Sequence, residues 1–527
     1  MRILYNARIK TQNARQPDVT ALAIHNGLIE AAGSDTEMLA LARPGDQTED
    51  LGGRVIWPGL TDAHLHMQYY SGFLRFVDCE TGTKEECLRR IEERARNTPA
   101  GKWVLGHGWN QNDWEGGFGT AADLDAVAYG HPVFLTSKSV HSAWVNTAAL
   151  QMAGINANTP DPEAGVVGRD ASGRPNGILF ESAMNLVESI VPEPGMNELA
   201  EMFDHAQSVL WKMGVTGVHD FDRRACFQAL QYMDANDRLR LRVVKSIPLE
   251  LLPEAAALGL RSGFGSPFLR IGSVKLFADG ALGPRTAAML QPYEGETEYS
   301  GIPMLDAEQI VEYGQEAAQS GLSMAIHAIG DRANHEVLNA YEQLRGYETQ
   351  MGLAHLRHRI EHVQILHPDD FGRLASLNVI ASMQPLHATS DMYTADKHWG
   401  KRSAGAYAWR TQLERGARLA FGSDAPVESP NPFWGLHAAV TRTRSNGEPG
   451  TDGWYPEQRL SLQQALDGYT TGPAYAAGLE QRLGQLAPGF YADLIALESD
   501  PFQMPAHELH GVKPAATMVA GEWVWQA

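Results

Sequence analysis

The chain has 527 residues, 43% hydrophobic and 20% charged, which excludes a disordered chain, a collagen and a coiled-coil rod. Its formal charge of −20, from 43 Lys+Arg against 63 Asp+Glu, argues against a nucleic-acid or anionic-membrane partner and leaves small substrates open. Three cysteines (Cys79, Cys87, Cys226) cannot build a disulfide framework and lack CxxC spacing, so a reducing, cytoplasmic compartment is expected.

The opening MRILYNARIKTQNAR has no signal-peptide core, and no run approaches the ~20 apolar residues of a membrane helix. Short β-like pieces follow, with Asn26–Gly27 between apolar runs as a hairpin signal. The C-terminus returns to this style at ADLIAL (492–497) and ATMVAGEWVWQA (516–527), with a turn at Gly521–Glu522. One small β domain built from both ends, 1–55 and 481–527, is therefore expected.

The middle alternates eight short apolar strands with helical stretches: VIWPGLTDAHLHM, GVTGVHDF, LRLRVVKSI, LRIGSVKLFA, LSMAIHAIG, HRIEHVQ, VIASMQP and LAFGSDA. Helices are expected over 306–320 and over 334–345, the second stopped by Gly346. Eight β/α repeats point to an α/β fold, a (β/α)₈ TIM barrel over 56–480. The 68–213 stretch after the first strand has strands of its own and is expected to be an inserted subdomain over the barrel mouth.

Active sites of such barrels gather at the C-terminal strand ends. The first strand ends in Asp62-Ala63-His64-Leu65-His66, and alternation puts His64 and His66 on one face. That pair is either a metal site or a solvated edge. The fifth and sixth strands offer His327 and His362. His358, two steps of the same parity earlier, fits a hydrogen-bonded structural histidine better. Asp424 closes the eighth strand as a cap or a functional carboxylate, and four histidines at other strand ends favour function. Lys275 lies inside the apolar run SVKLFA, where an ammonium is expensive to bury. It can pair with Asp279, snorkel, or lose its proton and take up carbon dioxide as a carbamate. Taken alone, the ion pair is favoured.

These residues sit in PGLTDAHLHM, HSAWVNTAAL, VKLFADGALGPRTAA, HAIGDRAN, RIEHVQ, SMQPLHA and FGSDAPVESPNP. As a set, along nearly the whole chain, they resemble the amidohydrolase superfamily of metal-dependent hydrolases, in the branch containing N-substituted formamide deformylases. The resemblance implies that His64, His66 and Asp424 bind the more buried of one or two divalent ions. It implies that a carbamate on Lys275 bridges to a second ion held by His327 and His362, and that the termini form a small β-sandwich. Imidazole, carboxylate and carbamate ligands favour Zn²⁺, with Mn²⁺, Fe²⁺ or Co²⁺ as alternatives. Asp424 is then the catalytic group that takes a proton from metal-bound water and passes it to the leaving amine.

Asp279 and Arg285 follow the fourth strand and His387 the seventh, where a loop can meet substrate; for the first two, an ion pair shaping the loop is the alternative. Tyr69 and Trp109, with other aromatics of the insertion, can line an apolar pocket or simply pack. The function expected is hydrolysis of an N-acyl or N-formyl amine by metal-activated water. A deaminase or cyclic-amide hydrolase on the same scaffold is the enzymatic alternative, and a non-catalytic regulator the alternative outside enzymes. The partner expected is a small-molecule amide, with no nucleic acid and no membrane, and the resemblance is compatible with a homodimer.

Overall fold

Eight parallel strands form the central sheet in this computed structural model, which describes residues 1–138, 141–163 and 165–527. We number them β1 Leu60–Leu65, β2 Val215–Asp220, β3 Arg242–Pro248, β4 Leu269–Phe277, β5 Met324–Ala328, β6 Arg359–His362, β7 Ile380–Met383 and β8 Arg418–Phe421. They pair in chain order, each with the next. Just past β8, Asp424 N–H donates to His64 O (2.6 Å) and His66 N–H donates to Ala425 O (2.9 Å). These bonds tie the eighth strand back to the first and draw the two most functional-looking segments of the sequence together.

Buried, β-branched-rich strands need helices on their outer face. Ala307–Gln319 is one, opened by the Asp306/Gln309 capping box. The helix expected to stop at Gly346 instead runs Asp331–Gln350 and ends before Gly352, at φ +65°. A glycine inside a helix costs about 1 kcal/mol, and tertiary contacts outweigh it here. Flanking Gly346, Arg345 donates to Glu348 (2.7 Å), whose carboxylate is also 3.0 Å from His358 Nε2.

Val55–Pro58, expected to open the first barrel strand, belongs to another sheet, so the barrel starts at Leu60, not at 56. That segment pairs with Arg8–Lys10 and Leu494–Leu497 in a six-stranded sheet drawn from both termini. The chain changes sheets at Gly59, where a Cβ would come within 2.2 Å of Thr216 Oγ1. A four-stranded sheet (Arg2–Tyr5, Ala21–His25, Leu28–Gly33, Gln47–Asp50) shares one core with it through Leu4, Leu22, Ile56, Leu494 and Met518. Asn26 (φ +49°) and Gly27 (φ +75°) turn the hairpin as expected. The C-terminal turn falls on Ala520–Gly521, one residue earlier than expected, since Val519 pairs with Glu522.

Ser71–Glu198 is a compact unit of its own, whereas residues from Leu199 onward, including most of the helix Met196–Lys212, group with the barrel. The 68–213 span read from the sequence is thus longer than the unit itself. Its sheet has six strands, from Val77–Asp78 to Gly165–Arg169. Trp109, Trp114 and Trp144 meet in its core with ring centroids 5.7–6.4 Å apart. Each indole N–H donates to a backbone carbonyl, of Leu135, Thr81 and Thr120 respectively.

Candidate metal centre

Strand alternation delivers His64 and His66 to one side of β1, and Asp424 meets both. His64 Nε2 is 3.5 Å and His66 Nε2 3.4 Å from the same oxygen, Asp424 Oδ1. His64 is buried against Phe221, their ring centroids 4.0 Å apart, and Glu361 Oε2 lies 2.6 Å from its Nδ1. That carboxylate fixes the proton on Nδ1 and leaves the Nε2 lone pair free. Burial pulls the imidazole down to about 4, with Lys275 adding to the shift, so the ring is neutral.

His66 is oriented in the same manner by Asp222 Oδ1, 3.0 Å from Nδ1. Burial opposes its charge, yet Asp222 and Asp424 together raise it to about 9. A proton held this firmly marks a place that demands positive charge. Burial also works against ionising Asp424, but His66 and the neighbouring histidines outweigh it and hold the carboxyl well below its usual range.

The sixth strand departs from simple alternation. Arg359 and Glu361 point into the barrel, where Arg359 reaches Ala63 O, Ser382 and Glu361. His358 points out: it stacks on Tyr341 and bonds Glu348, the structural role expected of it. His362 has the parity of His358, but its φ of +76° turns it inward. Gln384 Oε1 holds its Nδ1 at 2.8 Å. Its ring is 5.0 Å from His64 and 4.6 Å from His327. His327 rests Nε2 on Gly280 O at 2.9 Å, and burial lowers it to about 3.

Lys275 Nζ lies 4.7 Å from the Phe221 ring and 4.8 Å from Phe277. It has no hydrogen-bond or ion-pair partner among the described residues, and burial lowers it to about 8. The ion pair with Asp279 does not form. Asp279 is fully buried and accepts N–H bonds from Ala288, Ile329 and Gly330. It therefore clamps the loop rather than meeting substrate, and burial raises it to about 7.

Ligand-capable atoms of His64, His362 and Asp424 all lie within 4.8 Å of one another, close enough for one ion. This trio crosses the division that the resemblance implies, since it joins His362 to the His64 side. Asp220, Asp222 and Cys226 are as close together, but Lys245 Nζ, 2.9 Å from Asp220 Oδ1, already supplies the cation there. The donor set of the neutral His64, His327 and His362 imidazoles, an ionised carboxylate and an orphaned lysine amine fits a divalent ion with borderline-soft preferences.

The remaining candidates divide. His387 lies at the centre: its buried Nε2 has no hydrogen-bond partner among the described residues and is 4.0 Å from Asp424 Oδ2. Tyr69 is 62% exposed with its ring 5.9 Å from His66. Arg285 pairs with Glu296 at 2.6 Å and shapes the loop. Trp109 is fully buried in the core of the inserted unit, so it is packing and not a pocket wall. Glu361, Asp222, Gln384 and Phe221 were missed, although Arg359 and Glu361 carry the same signal as Lys275, charge inside an apolar strand.

The profile described as "Amidohydrolase family" matches residues 47–525. The chain belongs to the amidohydrolase family. YtcJ of Bacillus subtilis (strain 168), which carries an amidohydrolase designation, is 33% identical over 518 residues, 96% of either chain. N-substituted formamide deformylase of Arthrobacter pascens is 28% identical over 536 residues, 98% of this chain and 97% of that one. A crystal structure of a metal-dependent hydrolase from Pyrococcus furiosus superimposes with a TM-score of 0.80 at 30% identity, covering 95% of this chain and all of that one. A general hydrolase role follows from membership, and among the described residues His64, His362 and Asp424 are close enough together to hold a metal ion.

Proposed function

We propose that this protein hydrolyses the C–N bond of an N-acyl or N-formyl amine bearing an apolar or aromatic group. One observation carries the reading. Asp424 directs Oδ1 at the ε-nitrogens of His64 and His66, while Oδ2 lies 4.0 Å from Nε2 of His387. His64, His66, Asp424, His327 and His362 would hold one or two divalent ions, Zn²⁺ first among them, with Lys275 as a carbamate when two are bound. Such an ion lowers the pKa of a bound water to ~7 and polarises a carbonyl.

The chain's own groups complete the chemistry. Asp424 takes a proton on a carboxylate oxygen and returns it to the departing amine. Gln364 Nε2 lies 3.5 Å from His387 Nδ1; with that amide donating, the imidazole would carry its proton on Nε2 and donate it to a carbonyl oxygen. Tyr69 and Phe277, the latter 48% exposed and 5.3 Å from His327, offer apolar surface beside the centre. The relative named N-substituted formamide deformylase supports the amide class. All three cysteines are free, in keeping with a cytoplasmic setting.

The test is a panel of N-formyl and N-acyl amines against cyclic amides and amino-heterocycles, with metal-loaded protein. Release of a primary amine plus a carboxylic acid supports the proposal. Ammonia from a heterocycle, or ring opening alone, overturns it.

A further inference from the structure

The amino-terminal end of the barrel, opposite the metal centre, holds a cavity of about 330 Å³. In a chain of charge −20, it is lined by three arginines (Arg270, Arg357, Arg359), two histidines (His219, His355) and four serines, without one Asp or Glu. Two of the arginines are neutralised from beyond its wall. Arg357 forms a bidentate pair with Glu480, both N–O distances 2.6 Å, and Arg359 pairs with Glu361. Arg270 forms no ion pair among the described residues. Its Nη2 donates to Gly263 O, and its buried Nε–H has no hydrogen-bond partner among the described residues. A buried donor on a fixed cation calls for an acceptor, and a planar guanidinium presents its N–H groups in the geometry a carboxylate or phosphate accepts.

The serines support this by what they cannot do. Ser262 Oγ–H donates to Gly272 O at 2.7 Å, so its 3.1 Å contact requires Ser323 to donate to it. Ser273 must then donate to Ser323 at 2.8 Å. These three hydroxyl protons are engaged within the wall, and among the described residues Arg270 is the one lining arginine without a carboxylate partner.

We propose that this cavity binds a small organic anion, a carboxylate or phosphate on a compact carbon skeleton, through Arg270. The volume exceeds what a bare ion fills and lies in the range of small-molecule sites. Binding is measured by calorimetry on the full-length, metal-loaded protein at low ionic strength. Malonate and glycerol phosphate are the probes and glycerol the uncharged control. One equivalent of at least one anion is expected to bind and glycerol not to bind. The malonate and glycerol phosphate arms separate a carboxylate from a phosphate preference. Arg270→Met is expected to weaken binding at least tenfold. Ala477→Glu, which adds a carboxylate to the cavity lining without touching Arg270, is expected to weaken it similarly and carries the test if the arginine variant fails to fold. No binding of either anion overturns the proposal. So does binding that survives in both variants, because the anion then sits elsewhere, for instance at the metal centre.

Discussion

Glu361 Oε2 lies 2.6 Å from His64 Nδ1, and both side chains are completely buried. The carboxylate is itself held by Arg359. A chain of charge thus runs from Arg359 through Glu361 to the imidazole that faces Asp424. Partners of this kind fix the tautomer and aim of a metal-binding histidine, and their loss typically costs 10–100-fold in affinity or activity. Glu361→Gln keeps the volume but removes the charge. Metal affinity is expected to fall by about 10–100-fold, read by competition with a chelator, while the fold persists by circular dichroism.

Asp424 sits at φ +61°, a conformation that asparagine also adopts readily. Asp424→Asn should therefore fold, yet it cannot take a proton. A loss of about 10²–10⁴-fold in kcat is expected from the missing general base alone. Activity within threefold of the parent would remove Asp424 from the catalytic role.

Chelation should abolish activity, and adding Zn²⁺ should restore it. Metal content by plasma mass spectrometry, on protein prepared with bicarbonate, is expected near two equivalents per chain. In Lys275→Met it should fall toward one, because the bridging anion cannot form. One equivalent in both proteins would assign the site a single ion and leave Lys275 unmodified.

Glu348 is buried, which opposes its charge, but the bonds to His358 and Arg345 outweigh burial and lower its pKa. A carboxyl with a lowered folded pKa adds stability above its unfolded value of about 4.3 and loses it as pH falls through the lower one. Denaturant midpoints should therefore drop below about pH 4, and Glu348→Gln should be less stable at neutral pH with a shallower acid decline. A parallel decline in the two proteins would exclude this contribution.

In the inserted unit, Trp144 packs against Trp109 and Trp114 and is fully buried. Trp144→Ala is expected to destabilise that unit by about 3–5 kcal/mol, seen as a lower denaturant midpoint in its tryptophan fluorescence.

The local pattern of this sequence was enough to mark eight strands, the HxH pair and the acid that closes the last strand. Each depends only on neighbours in the chain: alternation sets the face of His64 and His66, and an apolar run sets a buried strand. The resemblance carried by the same motifs named the family. Tertiary structure decided the rest. Val55–Pro58 has the composition of a barrel strand, and only its partners Arg8–Lys10 and Leu494–Leu497 assign it to the other sheet. His362 enters the site against its own strand parity, through a backbone turn that no local periodicity encodes. Trp109 could have lined a pocket by composition, but packing with two other indoles buried it. Lys275 could have paired with Asp279, but three backbone N–H groups from elsewhere in the fold claim that carboxylate. Burial, partnership and the electrostatics that follow from them depend on residues distant in sequence, and they exist only once the barrel closes.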